Sequence, residues 1–153
     1  MTENEAALEE TVASIKKELE NVEGLRTEIV AELAREQRNV RVLGSILHDF
    51  YNSCERIFKR ICSELNGGLY QSDRWHKELL YRMTIAVEDL RPIVISEELA
   101  AELDDYLSFR HVFRNIYGFE LKGERLMRLA EKFDRVSLQL IDEVRAFLAE
   151  IEV

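Results

Sequence analysis

A chain of 153 residues is long enough to bury a core without disulfide or metal staples and is expected to form one domain over 1–153. With a single proline, six glycines and 33% charged residues, it favours long helices over sheet. A net charge of −9 excludes a general nucleic-acid coating protein. No apolar run approaches the roughly 18 residues of a membrane span, and the acidic start Met1-Thr-Glu-Asn-Glu5 has the wrong charge for a secretory signal, so a soluble cytoplasmic protein with no membrane partner is expected.

Over 3–37, Leu8, Val12, Ile15, Leu19 and Val22 recur at steps of four and three, and Leu25, Ile29 and Leu33 carry the stripe past Gly24. This spacing predicts one long amphipathic helix with a strongly acidic outer face, bent at Gly24, packed on neighbouring helices or on a second subunit. A second helix is predicted over 40–65, where Val40, Leu43, Leu47, Phe50, Cys54, Ile57, Ile61 and Leu65 form one stripe that Ile46, Tyr51 and Phe58 widen. Such a broad apolar face belongs at the centre of a bundle, and Asn66-Gly67-Gly68 is the expected stop. Cys54 and Cys62 would lie roughly 12 Å apart along that helix axis, too far for a disulfide, and read as buried free thiols. His48, beside the same face, reads as a structural histidine.

Ser72 or Asp73 can cap a third, shorter helix carrying Trp75, Leu79, Leu80, Met83 and Val87, with His76 on its solvent rim. Pro92 then disfavours helix at Arg91, and Val94-Ile95 is expected to plug the bundle from an extended connection. Ser96-Glu-Glu-Leu99 opens a fourth helix with a cap and two acids, running through Leu103, Tyr106, Phe109 and Phe113 to Tyr117 before Gly118. The last helix starts at Gly123 or Glu124 and buries Leu126, Leu129, Phe133, Val136, Leu140, Val144, Leu148 and Ile151. The expected fold is therefore all-α: an up-and-down bundle of four long helices plus a short one. A Gly-rich phosphate loop, CxxC, HExxH and ExxH are all missing, so phosphate-loop nucleotide hydrolysis, zinc chemistry and a di-iron bundle have no support, and no metal or cofactor is expected.

Charge is unevenly spread. Residues 1–36 hold ten Glu against four Lys and Arg, whereas 108–128 hold Arg110, Arg114, Lys122, Arg125 and Arg128 against Glu120 and Glu124. An acidic body with one basic face suits a confined anionic site or a partner surface. Within that face, helical spacing puts Arg110, Arg114 and Tyr117 on one side and His111 and Asn115 on the adjoining side, flanked by Phe109, Phe113 and Phe119. Arginine can clamp a phosphate, and a histidine beside it can move the protons of RNA cleavage by a ribose 2′-hydroxyl. The ordinary scaffold alternative pairs these arginines with acids such as Asp104 and Asp105.

The segment Arg110-His-Val-Phe-Arg-Asn115-Ile-Tyr117, on the penultimate helix of a small acidic bundle, resembles the Arg-x4-His-x-Tyr signature of HEPN-superfamily ribonucleases. Within them it is most similar to the HepT-like toxins of HEPN/MNT toxin–antitoxin pairs. Arg110 matches the family arginine, His111 the polar residue that follows it, and Tyr117 the tyrosine two places beyond the histidine. The departure is Asn115, which stands where the family has its catalytic histidine. The resemblance implies a homodimer whose two motifs face each other across a cleft and cut RNA without metal, tRNA being one class of target. It also implies a minimal nucleotidyltransferase antitoxin that attaches AMP to the motif tyrosine, here Tyr117. Arg114, Lys122 and Arg125 then become the expected RNA-binding cations. An amide cannot relay a proton, so Asn115 predicts an inactive or attenuated centre, either in a degenerate member or in a toxin inactivated on purpose, with His111 as the auxiliary base. The competing expectation is a non-catalytic nucleotide- or partner-binding bundle.

Overall fold

The computed structural model describes residues 2–65, 75–115 and 123–152, with the side chains of 111–115 left outside the description. Five helices carry the described chain: α1 (Glu3–Leu33), α2 (Val40–Leu65), α3 (Trp75–Met83), α4 (Glu97–Asn115) and α5 (Gly123–Ile151). The expected all-α bundle of four long helices and a short one is present.

Helix α1 begins with a capping box. The Thr2 hydroxyl accepts the Glu5 N–H at 3.1 Å and the Glu5 carboxylate accepts the Thr2 N–H at 3.2 Å, which satisfies donors that a helix start leaves open. The helix runs unbroken through Gly24 and ends at Leu33, four residues short of the limit expected from its stripe. The cause lies in the turn. The Glu32 carboxylate turns back to accept the Asn39 N–H at 2.7 Å, and the Asn39 side chain accepts the Arg41 N–H at 3.0 Å, capping α2 where α1 would otherwise continue.

Helix α2 touches every other helix, as its broad apolar face requires. Helix α1 packs on α2 and α5, α4 packs on α2 and α5, and α3 lies against α2 and α4. The long helices therefore stand in the order α1, α2, α4, α5 around the bundle, with α2 and α5 meeting across it. At the centre Phe50 meets Tyr106 and Phe133 edge-on, with ring centroids 5.2 and 4.9 Å apart. The Tyr106 hydroxyl is satisfied by donating to the Leu129 carbonyl at 2.7 Å. Cys54 and Cys62 are buried and free.

The expected third helix is too long at its C-terminal end. It stops at Met83, and Val87 instead pairs with Arg91 in a tight reversal whose Asp89 takes a left-handed φ of 64°. The buried Arg91 guanidinium holds this reversal together by donating to the carbonyls of Arg82 and Ile85, each at 2.9 Å, and of Pro92 at 3.1 Å. Val94 and Ile95 plug the bundle as expected, 2% and 0% exposed. Ser96 then caps α4 by accepting the Leu99 N–H at 3.1 Å, while its own hydroxyl donates to Glu143 of α5 at 3.1 Å. Among the described residues no helix is long and apolar enough to cross a membrane.

Candidate active site

Arg110 stands four residues after Tyr106 and seven after Leu103, both fully buried, so the helical repeat aims its guanidinium inward at α2. A charge there must be paired or be very costly. Helix α2 supplies the partners: Nη1 of Arg110 donates to Glu55 Oε2 at 2.7 Å and to Asn52 Oδ1 at 2.9 Å, and the guanidinium carbon lies 5.1 Å from the centre of the Tyr51 ring. Side-chain exposure is 6% for Arg110 and 7% for Glu55, which makes this a buried ion pair. The acid it selects is neither Asp104 nor Asp105. Asp105 faces the other way and holds Lys132 of α5 at 2.8 Å.

The second Glu55 oxygen, Oε1, makes a short hydrogen bond with Nδ1 of His76, the second residue of α3. Nη2 of Arg110 lies 3.3 Å from the same nitrogen. An ionised carboxylate can only accept, so Nδ1 of His76 donates to Glu55 and carries a hydrogen, and Nη2 of Arg110, itself only a donor, lies beside that N–H without bonding to it. Arg110 and His76 are thus two donors converging on the two oxygens of one carboxylate. Trp75 packs against the His76 ring with centroids 3.7 Å apart and planes tilted by 34°, and Lys59 Nζ lies 4.1 Å from the centre of the indole and 4.0 Å from Glu55 Oε2. Burial pushes the Tyr51 phenol far above its ordinary value, and the Glu55 charge adds to the shift, so Tyr51 serves as a neutral wall.

Sequence spacing foresaw Arg110 but missed Asn52, Glu55 and His76. One signal was legible: Tyr51, Glu55 and Phe58 follow steps of four and three, which puts a carboxylate on the flank of the apolar face. His76, expected on a solvent rim, is 30% exposed yet engaged inward by Glu55. No local pattern joins Glu55 of α2 to His76 of α3, 21 positions further on. The backbone of His111, Arg114 and Asn115 belongs to α4 while their side chains lie outside the description, and Tyr117 and Lys122 lie outside the described residues altogether. Arg125 is half-buried in the first turn of α5. Among the described residues no three His, Cys, Asp or Glu side chains converge on a metal-sized point.

Chemically the cluster offers a fixed cation, a carboxylate shared by two donors, and an imidazole that opens to solvent. No curated protein and no solved structure matches the chain. The model of a protein family described as HepT-like protein matches residues 42–151, from the first turn of α2 to the end of α5, leaving α1 outside. With most of its length matched and Arg110 seated in the penultimate helix, the chain belongs to the HepT-like family of the HEPN superfamily.

Proposed function

We infer that this protein is a HEPN-type ribonuclease toxin working at an attenuated centre. Membership of the HepT-like family supports a HEPN-type toxin in general. The observation that carries the finer reading is the fixing of Arg110: five residues before Asn115, its guanidinium is locked between Glu55 and Asn52, as a charge-stabilising arginine must be to avoid reorganising during attack. On this reading two copies of the chain pair and present their motifs to RNA, tRNA among the targets, with Arg114, Lys122 and Arg125 holding the backbone. Cleavage uses the ribose 2′-hydroxyl and needs no metal. Asn115 preserves hydrogen bonding at the proton-transfer position but not titration, with His111 beside Arg110 as auxiliary. A minimal nucleotidyltransferase neutralises the toxin by adding AMP to Tyr117, blocking the cleft by bulk and negative charge.

Replacing Asn115→His and incubating the protein with total RNA tests the reading. Cleavage should rise about 10²- to 10⁴-fold, the usual worth of a positioned acid–base group, and expression should arrest growth. No cleavage and no arrest would remove the ribonuclease reading. The modification has its own check by mass spectrometry. With the partner nucleotidyltransferase and ATP, the chain should gain the mass of AMP, and Tyr117→Phe should not; equal gain in both would displace the site.

A second reading has one observation in its favour. Arg110 is as buried as a scaffold residue, and its ion pair to Glu55 also suits a non-catalytic bundle that binds a nucleotide or a protein partner. An inactive Asn115→His variant would favour that alternative.

A further inference from the structure

We propose that His76, outside the family motif and 34 residues before Arg110, is the proton-transfer residue of this centre and carries the residual cleavage that Asn115 cannot support. The inference rests on the ribonuclease reading above and adds a residue to it. Beside Arg110, His76 is the described side chain that carries an imidazole, the group most often used for proton transfer in catalysis. Its geometry is that of a base: Glu55 fixes the hydrogen on Nδ1, which leaves the lone pair on Nε2, and Trp75 holds the ring plane from one face. A carboxylate that orients an imidazole and stabilises its protonated form is the arrangement by which histidine activates a hydroxyl in hydrolytic triads.

Access points the same way. Glu55 and Arg110 are buried, but His76 is 30% exposed, so the imidazole is one of two places, with Asn52, where the cluster meets solvent. Lys59, 39% exposed, stands on this side over the indole and can meet a phosphate. The opposite approach, through a cleft of about 370 Å³ between α1 and α2 that reaches Asn52, is walled by Glu20, Glu28 and Asp49, beside Arg56, and repels a polyanion. RNA therefore enters from the α3 side. There Nε2 of His76 takes the proton of a ribose 2′-hydroxyl as O2′ bonds to phosphorus and the P–O5′ bond breaks. The leaving O5′ takes a proton from solvent water, the imidazolium returns its own to solvent, and the products are a 2′,3′-cyclic phosphate and a 5′-hydroxyl. The charged groups gathered around His76 are Glu55 and Lys59 from α2 and Arg110 from α4.

The test compares the native chain, His76→Gln and Asn115→His on the same RNA across pH, with circular dichroism to confirm the fold of each. The native chain should cleave slowly, ending in cyclic phosphate, with a rate that falls toward acid pH. His76→Gln should lose about 10²-fold or more of that rate and its acid limb, and added imidazole should restore cleavage to a folded His76→Gly variant. Nitrogen-15 spectra of the native imidazole should show hydrogen on Nδ1 and a bare Nε2. Native cleavage that survives His76→Gln, or a hydrogen on Nε2, overturns the proposal whatever else is found. So does an inert native chain whose Asn115→His variant cleaves, which leaves the ribonuclease reading standing. If Asn115→His is also inert, both fall.

Discussion

Arg110 brings a full charge into the seam between α2 and α4, and the Glu55 carboxylate is what makes that position tolerable. A buried pair of this kind adds little net stability, because the attraction mostly offsets the desolvation of both partners. Breaking it is another matter, since the remaining charge keeps its desolvation cost and loses its compensation. Glu55→Ala is therefore expected to cost about 3–5 kcal/mol, a large part of the roughly 5–15 kcal/mol that holds a domain of this size together. Removing both charges should be far milder: Glu55→Gln combined with Arg110→Met should recover most of the loss. Urea unfolding of the two variants measures the difference. A Glu55→Ala penalty below about 1 kcal/mol, the range of an exposed pair, would contradict the sealed pair described here.

At the scale of elements, helical periodicity predicted what depends on one face of one segment. Helix α2 spans the predicted 40–65, and the predicted stripe of α5 is buried from Leu126 to Leu148. The errors fall where a partner distant in sequence decides. Nothing near Met83 says that α3 must stop there; the Arg91 guanidinium, eight residues on, captures the carbonyls that a longer helix would have used. Glu32 likewise shortens α1 by bonding to Asn39 beyond the turn. The candidate site follows the same division. Arg110 was legible because motif and helix face coincide, whereas the Glu55–His76 contact joins α2 to α3 and could be read only once the two were packed. His76 also shows why a residue beside a helix start is hard to judge from sequence. Exposure at a rim and engagement with a buried carboxylate are compatible when a ring has two nitrogens facing opposite ways.

Over the whole molecule the same acids that give the net charge of −9 also join the helices. Among the described residues, three carboxyls titrate below the ordinary glutamate value because cations or N–H groups hold their ionised forms. Burial alone would raise Glu18 of α1, but hydrogen bonds from Arg56 of α2 and from Asn21 outweigh it. Glu32 is held down by the Asn39 N–H and by Arg35. Glu102 of α4 is held down by Lys132 of α5, at 2.6 Å, and by Arg135. A carboxyl with a depressed folded pKa contributes its full stability above the unfolded value of 4.5 and loses it as pH falls through the folded one. Reduced self-repulsion acts in the opposite direction as the first exposed acids are neutralised, so stability should hold steady down to about pH 5. Below that, the tethers of α1 to α2 and of α4 to α5 are protonated while net positive charge builds up, and both effects destabilise. The urea midpoint is therefore expected to be nearly flat from about pH 7 to 5 and to fall steeply toward pH 3. Glu102→Gln should start lower at neutral pH and fall less, because that carboxyl has no ionised form left to lose. A midpoint unchanged between pH 5 and 3, or a Glu102→Gln curve parallel to that of the native chain, would show that these ion pairs do not govern acid stability.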